Sequence, residues 1–211
     1  MLYFAMSIPS QSRRLVVSVT GASGAIYAVR FLRYVAPLCE RIDLIFSSNA
    51  SSVASTELGL SLSSPVQVEQ YLGGIFPSVT VLDSKDYFTP PASGSYIHDG
   101  MVVIPCSMGT VGRIANGISE DLTTRAADVC MKERRPLILV PREAPFNLIH
   151  LRNLTAIAEA GGVIIPASPA FYHNPQTIED LVDTVVARVV QNLGFPQNLT
   201  PAWQFNKEQS L

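Results

Sequence analysis

Two charged side chains follow directly on one of the most apolar segments of the chain. The segment 137–140 reads LILV and ends at Pro141, and Arg142 and Glu143 come next. In an open parallel α/β sheet, ligands bind just beyond the carboxyl ends of the strands. A strand this apolar is buried on both faces, so charges at its end need a ligand or a partner. The pair predicts either a binding site or an internal salt bridge.

A loop of small residues follows the first predicted strand, residues 15–20. It reads TGASGA over residues 20–25 and leads into a predicted helix. Glycine allows a tight turn and the close approach of a ligand, and a helix N-terminus offers N–H donors to an anion or a polar ring edge. The loop is neither the dinucleotide fingerprint GxGxxG nor a Walker A loop. An ordinary turn capped by Ser23 is therefore the alternative.

A second loop of this kind, PCSMGT over residues 105–110, follows another predicted strand that we expect Pro105 to end. Its small polar residues and backbone donors could cradle a phosphate or a ring edge. Cys106 could act as a nucleophile, but no histidine neighbours it in sequence, so a buried structural thiol is expected. The sequence PPASGS, residues 90–95, is a third loop that we expect near the same sheet edge.

Basic residues cluster around the end of the predicted helix 121–133. Lys132 lies seven residues after Arg125, on roughly the same helix face, and the two could present a double charge to an anion. Arg134 and Arg135 follow at the helix end, where cations suit the helix dipole and the solvent.

Two further side chains could complete an anion site. Tyr172 follows the strand that Pro166 ends, and Arg188, inside the last predicted helix, could reach back towards it. Basic residues with a tyrosine and a glutamate describe a site for a phosphate monoester whose leaving group needs charge neutralisation.

Strands and helices alternate along the whole chain. Strands are predicted at 15–20, 42–47, 79–82, 101–104, 137–140 and 163–165, helices at 25–36, 49–58, 121–133, 146–160 and 176–193, and 61–77 is ambiguous. This alternation predicts an α/β fold: a single Rossmann-like (flavodoxin-like) doubly wound parallel sheet with helices on both faces. We expect one domain over 14–195, an N-terminal extension over 1–13 and an irregular C-terminal tail over 196–211.

Composition excludes several classes of function. A net charge of -2 with a pI of about 5.9 gives no sign of nucleic-acid binding, and no apolar run reaches the roughly 18 residues of a membrane span. Three widely spaced cysteines without a CxxC pair indicate neither a disulfide framework nor a zinc site. The N-terminal charges follow the apolar residues, the wrong order for a signal peptide, so a cytoplasmic location is expected.

The mean hydropathy of +0.25 and the 47% share of hydrophobic residues are high for a soluble monomer. Part of the surface of such a chain is expected to be buried between subunits. Composition therefore predicts a homo-oligomer.

The motifs together resemble those of one family, the UbiX-type flavin prenyltransferases. The resemblance covers about residues 14–204, and the segment 125–146 is long and highly specific. The matching segments are GASGA, Ser47 and Glu57 around the second strand, PPASGS, PCSMGT, TRAADVCMKERRPLILVPREAPF, PAFYHNPQTIEDLVD and VVARVV. The family belongs to a wider group of homo-oligomeric flavin proteins that includes cysteine decarboxylases.

The resemblance implies an activity and its partners. It implies transfer of a dimethylallyl group from dimethylallyl monophosphate to N5 and C6 of reduced FMN, which closes a fourth ring and needs no metal. FMN is expected at subunit interfaces, commonly in a dodecamer, with the C-terminal tail packed on a neighbouring subunit. The product, prenylated FMN, is expected to pass to a UbiD-type decarboxylase in ubiquinone precursor or aromatic-acid metabolism.

The resemblance also assigns roles to individual residues. The flavin contacts that it implies are Gly21, Ala22, Ser23 near N5, Ser47, Ser107, Met108, Gly109, Thr110 and Arg142. The prenyl phosphate contacts are Ser95, Lys132, Tyr172, Arg188 and Arg142, which would lie near both ligands. Ser23, Glu57, Lys132 and Glu143 are the expected catalytic residues: Glu57 supports proton transfer near Ser23, and Glu143 is the acid or base for phosphate departure or for loss of the C6 proton.

Two positions depart from the family pattern, and two other functions are alternatives. Some relatives carry Trp where Tyr87 stands, which could alter the prenyl pocket, and Met108 occupies a variable position whose backbone matters more than its side chain. An FMN-dependent cysteine decarboxylase would need a catalytic histidine after an early helix, but residues 48–58 contain none. A non-catalytic FMN carrier would not need Lys132, Glu143, Tyr172 and Arg188 together.

Overall fold

In the part of the chain that the structure describes, six parallel strands form one sheet in the order β3-β2-β1-β4-β5-β6. The computed structural model describes residues 13–60 and 65–201, so the predicted extension, apart from Arg13, lies outside the described residues. The strands are β1 (Arg14–Val19), β2 (Arg41–Phe46), β3 (Val79–Leu82), β4 (Gly100–Cys106), β5 (Leu137–Pro141) and β6 (Val163–Ile164). The predicted α/β class and doubly wound parallel sheet are confirmed.

Within the described residues, seven α-helices cover the two faces of this sheet. They are α1 (Ala25–Val35), α2 (Ala50–Leu58), α3 (Pro65–Leu72), α4 (Met108–Ala115), α5 (Leu122–Lys132), α6 (Leu148–Glu159) and α7 (Ile178–Asn192). Short 3-10 turns lie at Ala36–Leu38 and Pro90–Ala92. One buried apolar cluster lies between the sheet and α1 and α7, and a second lies between the sheet and α4 and α5.

The strand order reverses between β1 and β4, which are neighbours in the sheet although two strands separate them in sequence. Connections from these two strands leave in opposite directions, which opens a crevice beyond their carboxyl ends. Ligands of doubly wound proteins bind in such a crevice. The loops that follow β1 and β4 are the two glycine-containing loops identified in the sequence, residues 20–25 and 105–110.

The structure corrects the predicted end of one strand and places a helix in the region that the sequence left ambiguous. β4 does not end at Pro105 but continues to Cys106, which pairs with Pro141 after an irregularity in the ladder. Proline cannot donate to the ladder, so the ladder shifts around it, and its carbonyl oxygen bonds to Thr20 instead. The ambiguous region 61–77 contains α3, and residues 61–64 lie outside the described part of the chain.

α6 exposes an apolar face. Ile157 is its one buried residue, whereas Leu148, Ile149 and Leu151 are 60%, 66% and 48% exposed. A helix with this pattern leaves apolar area in water that a partner can cover. The composition predicted such a surface.

The first residues of the C-terminal tail pack on their own chain. The hydroxyl of Tyr34 in α1 donates to Oδ1 of Asn198 at 3.1 Å, and the Asn198 N–H donates back to that hydroxyl at 3.2 Å. Residues 202–211 lie outside the described residues, so contact between the tail and a neighbouring subunit stays a prediction. Within the described ranges, no helix is long and apolar enough to cross a bilayer.

Candidate functional site

Thr20 joins the two loops at the crevice. Its N–H and its hydroxyl both donate to the carbonyl oxygen of Pro105, at 3.2 and 2.8 Å. The same hydroxyl oxygen accepts a hydrogen bond from the N–H of Ser107 at 2.8 Å. Thr20 is buried, with 1% of its surface exposed, so these bonds hold the two loops side by side across the switch point of the sheet.

Two glycines of the first loop are required by the local packing and backbone conformation. A Cβ at Gly21 would lie 2.5 Å from the Cβ of Asn49, so glycine here makes room for the loop after β2. Gly24 has a φ of 108°, a conformation that favours glycine, and it is the N-cap residue of α1. The alternative in which Ser23 caps the helix is therefore wrong.

The side chain of Glu57, a residue of α2, binds the N-terminus of α1. Its carboxylate accepts hydrogen bonds from the N–H of Gly24 at 3.0 and 2.9 Å and from the N–H of Ala25 at 2.8 Å. The prediction that these donors are free for a ligand is wrong, because a side chain of the same chain satisfies them. A carboxylate also suits the positive end of the helix dipole.

The surroundings of Glu57 favour its ionised form. Burial acts to raise the pKa of Glu57, but hydrogen bonds from the Ser23 hydroxyl and from the Ala25 and Gly24 N–H groups, with the charge of Arg142, outweigh it and hold the pKa below the ordinary value. The Ser23 hydroxyl thus faces an ionised acceptor.

Arg142 connects the end of β5 to this group. Its Nε donates to the carbonyl oxygen of Ser23 at 3.3 Å, and its backbone N–H donates to the carbonyl oxygen of Cys106 at 3.3 Å. Glu143 accepts the N–H of Ala144 at 3.0 Å, and within the described residues neither Arg142 nor Glu143 forms a salt bridge. The internal salt bridge that competed with a binding site is not formed.

Ser23, Glu57 and Arg142 line a cleft of about 360 Å³. It lies on the side of the sheet where the strands have their carboxyl ends, which we call the carboxyl edge; the opposite side is the amino edge. The walls of the cleft are Gly21, Ser23, Ser52, Val53, Thr56, Glu57 and Arg142. Sequence reasoning missed Ser52 and Thr56. They lie four residues apart in a helix, and so share a face with each other, which is the signal that could have found them.

The second loop offers its backbone to a ligand. Ser107 caps α4, accepting the N–H of Thr110 at 3.3 Å, and the side chains of Met108 and Thr110 are buried. Among the described residues, no acceptor is found for the N–H groups of Met108 and Gly109, and a Cβ at Gly109 would meet no atom within 4 Å. The N-terminus of α4 is therefore accessible to a ligand, whereas the carboxylate of Glu57 occupies the N-terminus of α1.

Three other predicted residues take clear positions near this edge. Ser47 follows β2 and donates its N–H to the carbonyl oxygen of Val19 at 2.9 Å, at the end of β1. Tyr172 follows β6 and is 65% exposed, with its ring 4.6 Å from that of His173. Cys106 is fully buried, and burial raises the pKa of its thiol, so the prediction of a structural thiol is confirmed.

The residues predicted to bind the prenyl phosphate do not all meet in one chain. Ser95 precedes β4 and Lys132 ends α5 just before β5, so both lie at the amino edge of the sheet. A Cβ at Gly94 would lie 2.8 Å from Nζ of Lys132, which places the residue 90–95 loop against the end of α5. Lys132 also pairs with Glu133.

Arg188 lies on the same side of the molecule as Lys132. It is exposed and bonds to Gln191 at 2.7 Å, one turn before α7 ends at Asn192. Asn192 lines a cleft with Arg134 and Pro136 at the amino edge. β5 has five residues, so about 13 Å of strand, at about 3.3 Å per residue, separates this edge from Arg142.

The arginines around α5 hold the backbone of the preceding loop. Nε of Arg125 donates to the carbonyl oxygen of Ala92 at 3.0 Å and its Nη1 pairs with Asp128 at 2.8 Å, so these donors are already engaged. Arg135, interpreted from sequence as a cation that suits the dipole and solvent, donates instead to the carbonyl oxygens of Tyr96 and Gly94.

Comparison with known proteins gives consistent results. The family model described as flavoprotein matches residues 5–190. The flavin prenyltransferase UbiX of Pseudomonas aeruginosa is 44% identical over 199 residues, which cover 92% of this chain and 95% of the relative.

Two solved structures share both fold and sequence. AnUbiX, in complex with FMN and dimethylallyl pyrophosphate, has a TM-score of 0.81 and 37% identity over 92% of this chain and 98% of its own. A dodecameric FMN-dependent Ubix-like decarboxylase from Escherichia coli O157:H7 has a TM-score of 0.80 and 36% identity over 90% of this chain and 99% of its own.

Proposed function

Because the chain belongs to the flavoprotein family and within it to the UbiX flavin prenyltransferases, we propose that FMN binds across the carboxyl edge of its sheet. The chain is a prenyltransferase that moves a dimethylallyl group from a dimethylallyl phosphate to FMN. The observation that carries the placement is the group formed at the switch point by Ser23, Glu57 and Arg142, each held by a hydrogen bond from or to another element.

The residues at this edge fit the chemistry of FMN. The described residues supply no acceptor for the N–H groups of Met108 and Gly109, which suit a phosphate or a ring edge, and the space beside Gly109 is open. Ser23, Ser47 and Arg142 supply polar contacts to the flavin ring. Reduced FMN supplies the nucleophilic positions that accept the prenyl group.

The donor phosphate needs fixed positive charge as it leaves. Arg142 and Tyr172 stand at the carboxyl edge, whereas Ser95, Lys132 and Arg188 stand at or near the amino edge of the same sheet. We propose that a neighbouring subunit supplies the second set, so that each site is completed in a homo-oligomer, a dodecamer like the one that the Escherichia coli relative forms.

Two glutamates take different roles in handling protons. Glu57 is ionised and accepts from the Ser23 hydroxyl, so it can take a proton that passes through Ser23. Glu143 is half-buried at the end of β5, and its Oε1 accepts the Ala144 N–H. Its other oxygen is left to act as acid or base as the phosphate departs.

The rival functions are not favoured. A cysteine decarboxylase would need the catalytic histidine that residues 48–58 lack, and the relatives at 38% to 44% identity are flavin prenyltransferases. A carrier of FMN would need the loops that bind the flavin but not Lys132, Glu143, Tyr172 and Arg188 together.

Anaerobic incubation with reduced FMN tests the function. The expected product is an FMN adduct heavier by one C5 unit, detected by mass spectrometry, with dimethylallyl monophosphate as the donor. Dimethylallyl pyrophosphate is the comparison arm, because it is the compound bound in the AnUbiX complex. Unmodified FMN with both donors would contradict the prenyltransferase assignment. Delivery of the product to a UbiD-type decarboxylase and a cytoplasmic location stay predictions.

A further inference from the structure

Ser95 belongs to a short segment that is fixed from two sides. We call residues 93–96 the donor segment, because Ser95 is the proposed contact of the prenyl donor. The carbonyl oxygens of Gly94 and Tyr96 accept hydrogen bonds from Nη2 and Nη1 of Arg135, each at 2.6 Å. Since Arg135 lies three residues after Lys132, the last residue of α5, these bonds tie the donor segment to the helix end that carries Lys132.

A buried carboxylate holds the donor segment from the side of the sheet. Asp43 lies in β2 and is fully buried. Its Oδ2 accepts the hydroxyl of Tyr96 at 2.7 Å, and its Oδ1 accepts Nε of Arg41 at 2.8 Å. Arg41 also pairs with Asp43 through Nη2 at 2.8 Å. The donor segment is therefore pinned between a strand and a helix end.

This carboxylate is an unusual residue for its position. Asp43 points to the same face of β2 as Ile45, two residues further on, and Ile45 packs in the apolar cluster beneath α4 and α5. Burial of this carboxylate costs desolvation free energy, and its ionic partner Arg41 is 39% exposed, so the pair is weak evidence for stability. A role in stability alone therefore does not account for Asp43, whereas a role in holding the Tyr96 hydroxyl does.

The hydroxyl of Tyr96 stays a hydrogen-bond donor at physiological pH. Burial, followed by the hydrogen bond and charge of Asp43, raises the pKa of Tyr96 to about 12. Ser95, beside it, is exposed; its Oγ lies 2.8 Å from that of Ser93, and its N–H donates to Ser93 Oγ at 3.3 Å. The backbone on each side of Ser95 is fixed while its side chain faces outward.

We propose that Asp43 and Tyr96, with Arg135, are positioning residues for the prenyl phosphate. They touch neither ligand. They hold the donor segment so that Ser95 is presented, with Lys132, to the site that the neighbouring subunit provides. This inference rests on the proposed function, because it takes Ser95 as a contact of the donor.

Tyr96→Phe tests the inference with the loss of one oxygen atom. We expect the KM for dimethylallyl monophosphate to rise about tenfold, while kcat, the Kd of FMN and the oligomer size change by less than about twofold. Tyr34→Phe is the matched control, since it removes a tyrosine hydroxyl that bonds to the C-terminal tail instead. An unchanged KM in Tyr96→Phe would overturn the proposal, as would an equal loss of FMN binding.

A second variant tests whether Asp43 and Tyr96 act through the contact that they share. Asp43→Asn should raise the same KM, and the Tyr96→Phe, Asp43→Asn double variant should be no worse than the more affected single variant, because each single change already weakens the contact between Tyr96 and Asp43. Fully additive effects would show that the two residues act separately and would overturn the pairing.

Calorimetry distinguishes a failure here from a failure of the proposed function. Binding of dimethylallyl monophosphate to the oxidised FMN complex requires no turnover, so it can be compared in wild type and Tyr96→Phe directly. If the wild type forms no adduct, the proposed function fails. If the wild type forms adduct and Tyr96→Phe binds the donor as tightly as wild type does, only the positioning role fails.

Discussion

Arg142 donates from Nε to the carbonyl oxygen of Ser23 at 3.3 Å, so the end of β5 is bonded to the loop that follows β1. These two strands are not neighbours, because β4 lies between them. The bond spans the crevice at the switch point of the sheet. It places a guanidinium beside the Ser23 and Glu57 group, where the flavin ring is proposed to lie.

Arg142→Lys should weaken FMN binding about tenfold, because lysine keeps the charge but loses the planar donor that reaches Ser23. Fluorescence titration of FMN measures the affinity. Arg14→Lys is the control, since Arg14 pairs with Glu40 at 2.9 Å at the amino end of β1, away from the cleft. Equal affinity in Arg142→Lys and wild type would contradict the placement of FMN.

Glu57→Gln should lower the thermal midpoint at neutral pH. The fold lowers the pKa of Glu57 below its ordinary value of 4.5. Its stabilising contribution is therefore present above that value and is lost as pH falls towards the folded-state pKa. The difference in Tm between wild type and Glu57→Gln should hold from pH 7 to about pH 5 and narrow below that. A difference that grew in acid would contradict the pKa direction.

Glu143→Gln should keep FMN binding and slow turnover by about a hundredfold, the range expected for losing a general acid or base. Single-turnover formation of the prenylated adduct measures the rate, and flavin absorbance in the purified protein measures binding. A folded but colourless variant would show that Glu143 supports the site and does not handle protons.

Co-expression of Lys132→Ala with Glu143→Gln should restore activity that each variant lacks alone. Lys132 and Glu143 lie at opposite edges of the sheet within one chain. A mixed oligomer can therefore combine an intact Lys132 from one subunit with an intact Glu143 from another. Random mixing gives about a quarter of wild-type sites if two subunits complete each site. No recovery in verified mixed oligomers would mean that both residues serve the same chain's site.

Two glycine substitutions should have different effects. Gly21→Ala places a Cβ 2.5 Å from that of Asn49, so it should cost about 1–3 kcal/mol of stability through overpacking. Gly109→Ala meets no atom within 4 Å, so the protein should stay folded and lose affinity for FMN. Tm and FMN titration on both variants check this, and normal FMN affinity in Gly109→Ala would place the flavin elsewhere.

The sequence predicted the parts of the site that depend on local order along the chain. An apolar run followed by proline and charges placed Arg142 and Glu143 at a strand end, and two glycine-containing loops marked the crevice. The sequence also contained the signal that divides the predicted prenyl phosphate contacts between the two edges of the sheet. Ser95 and Lys132 precede strands, whereas Arg142 follows one. Residue type alone does not carry this direction, so the anion site predicted from residue types groups all of these side chains.

Contacts between distant segments were not predictable from local patterns. Gly21 makes room for Asn49, and Glu57 bonds to the start of α1, although each partner lies about 30 residues away in sequence. The composition of a helix end likewise says nothing about which carbonyl oxygens an arginine will meet. Arg135 therefore read as a cation suited to solvent, whereas it binds two carbonyl oxygens of the donor segment.

The apolar face of α6 has a consequence for how the protein unfolds. A partner that binds only the folded chain shifts the unfolding equilibrium by mass action. If a second copy covers Leu148, Ile149 and Leu151, the midpoint of denaturation is not a constant of the sequence but rises with the total protein concentration. Dilution then becomes a denaturing condition in its own right, and the chain is most fragile when newly made and scarce.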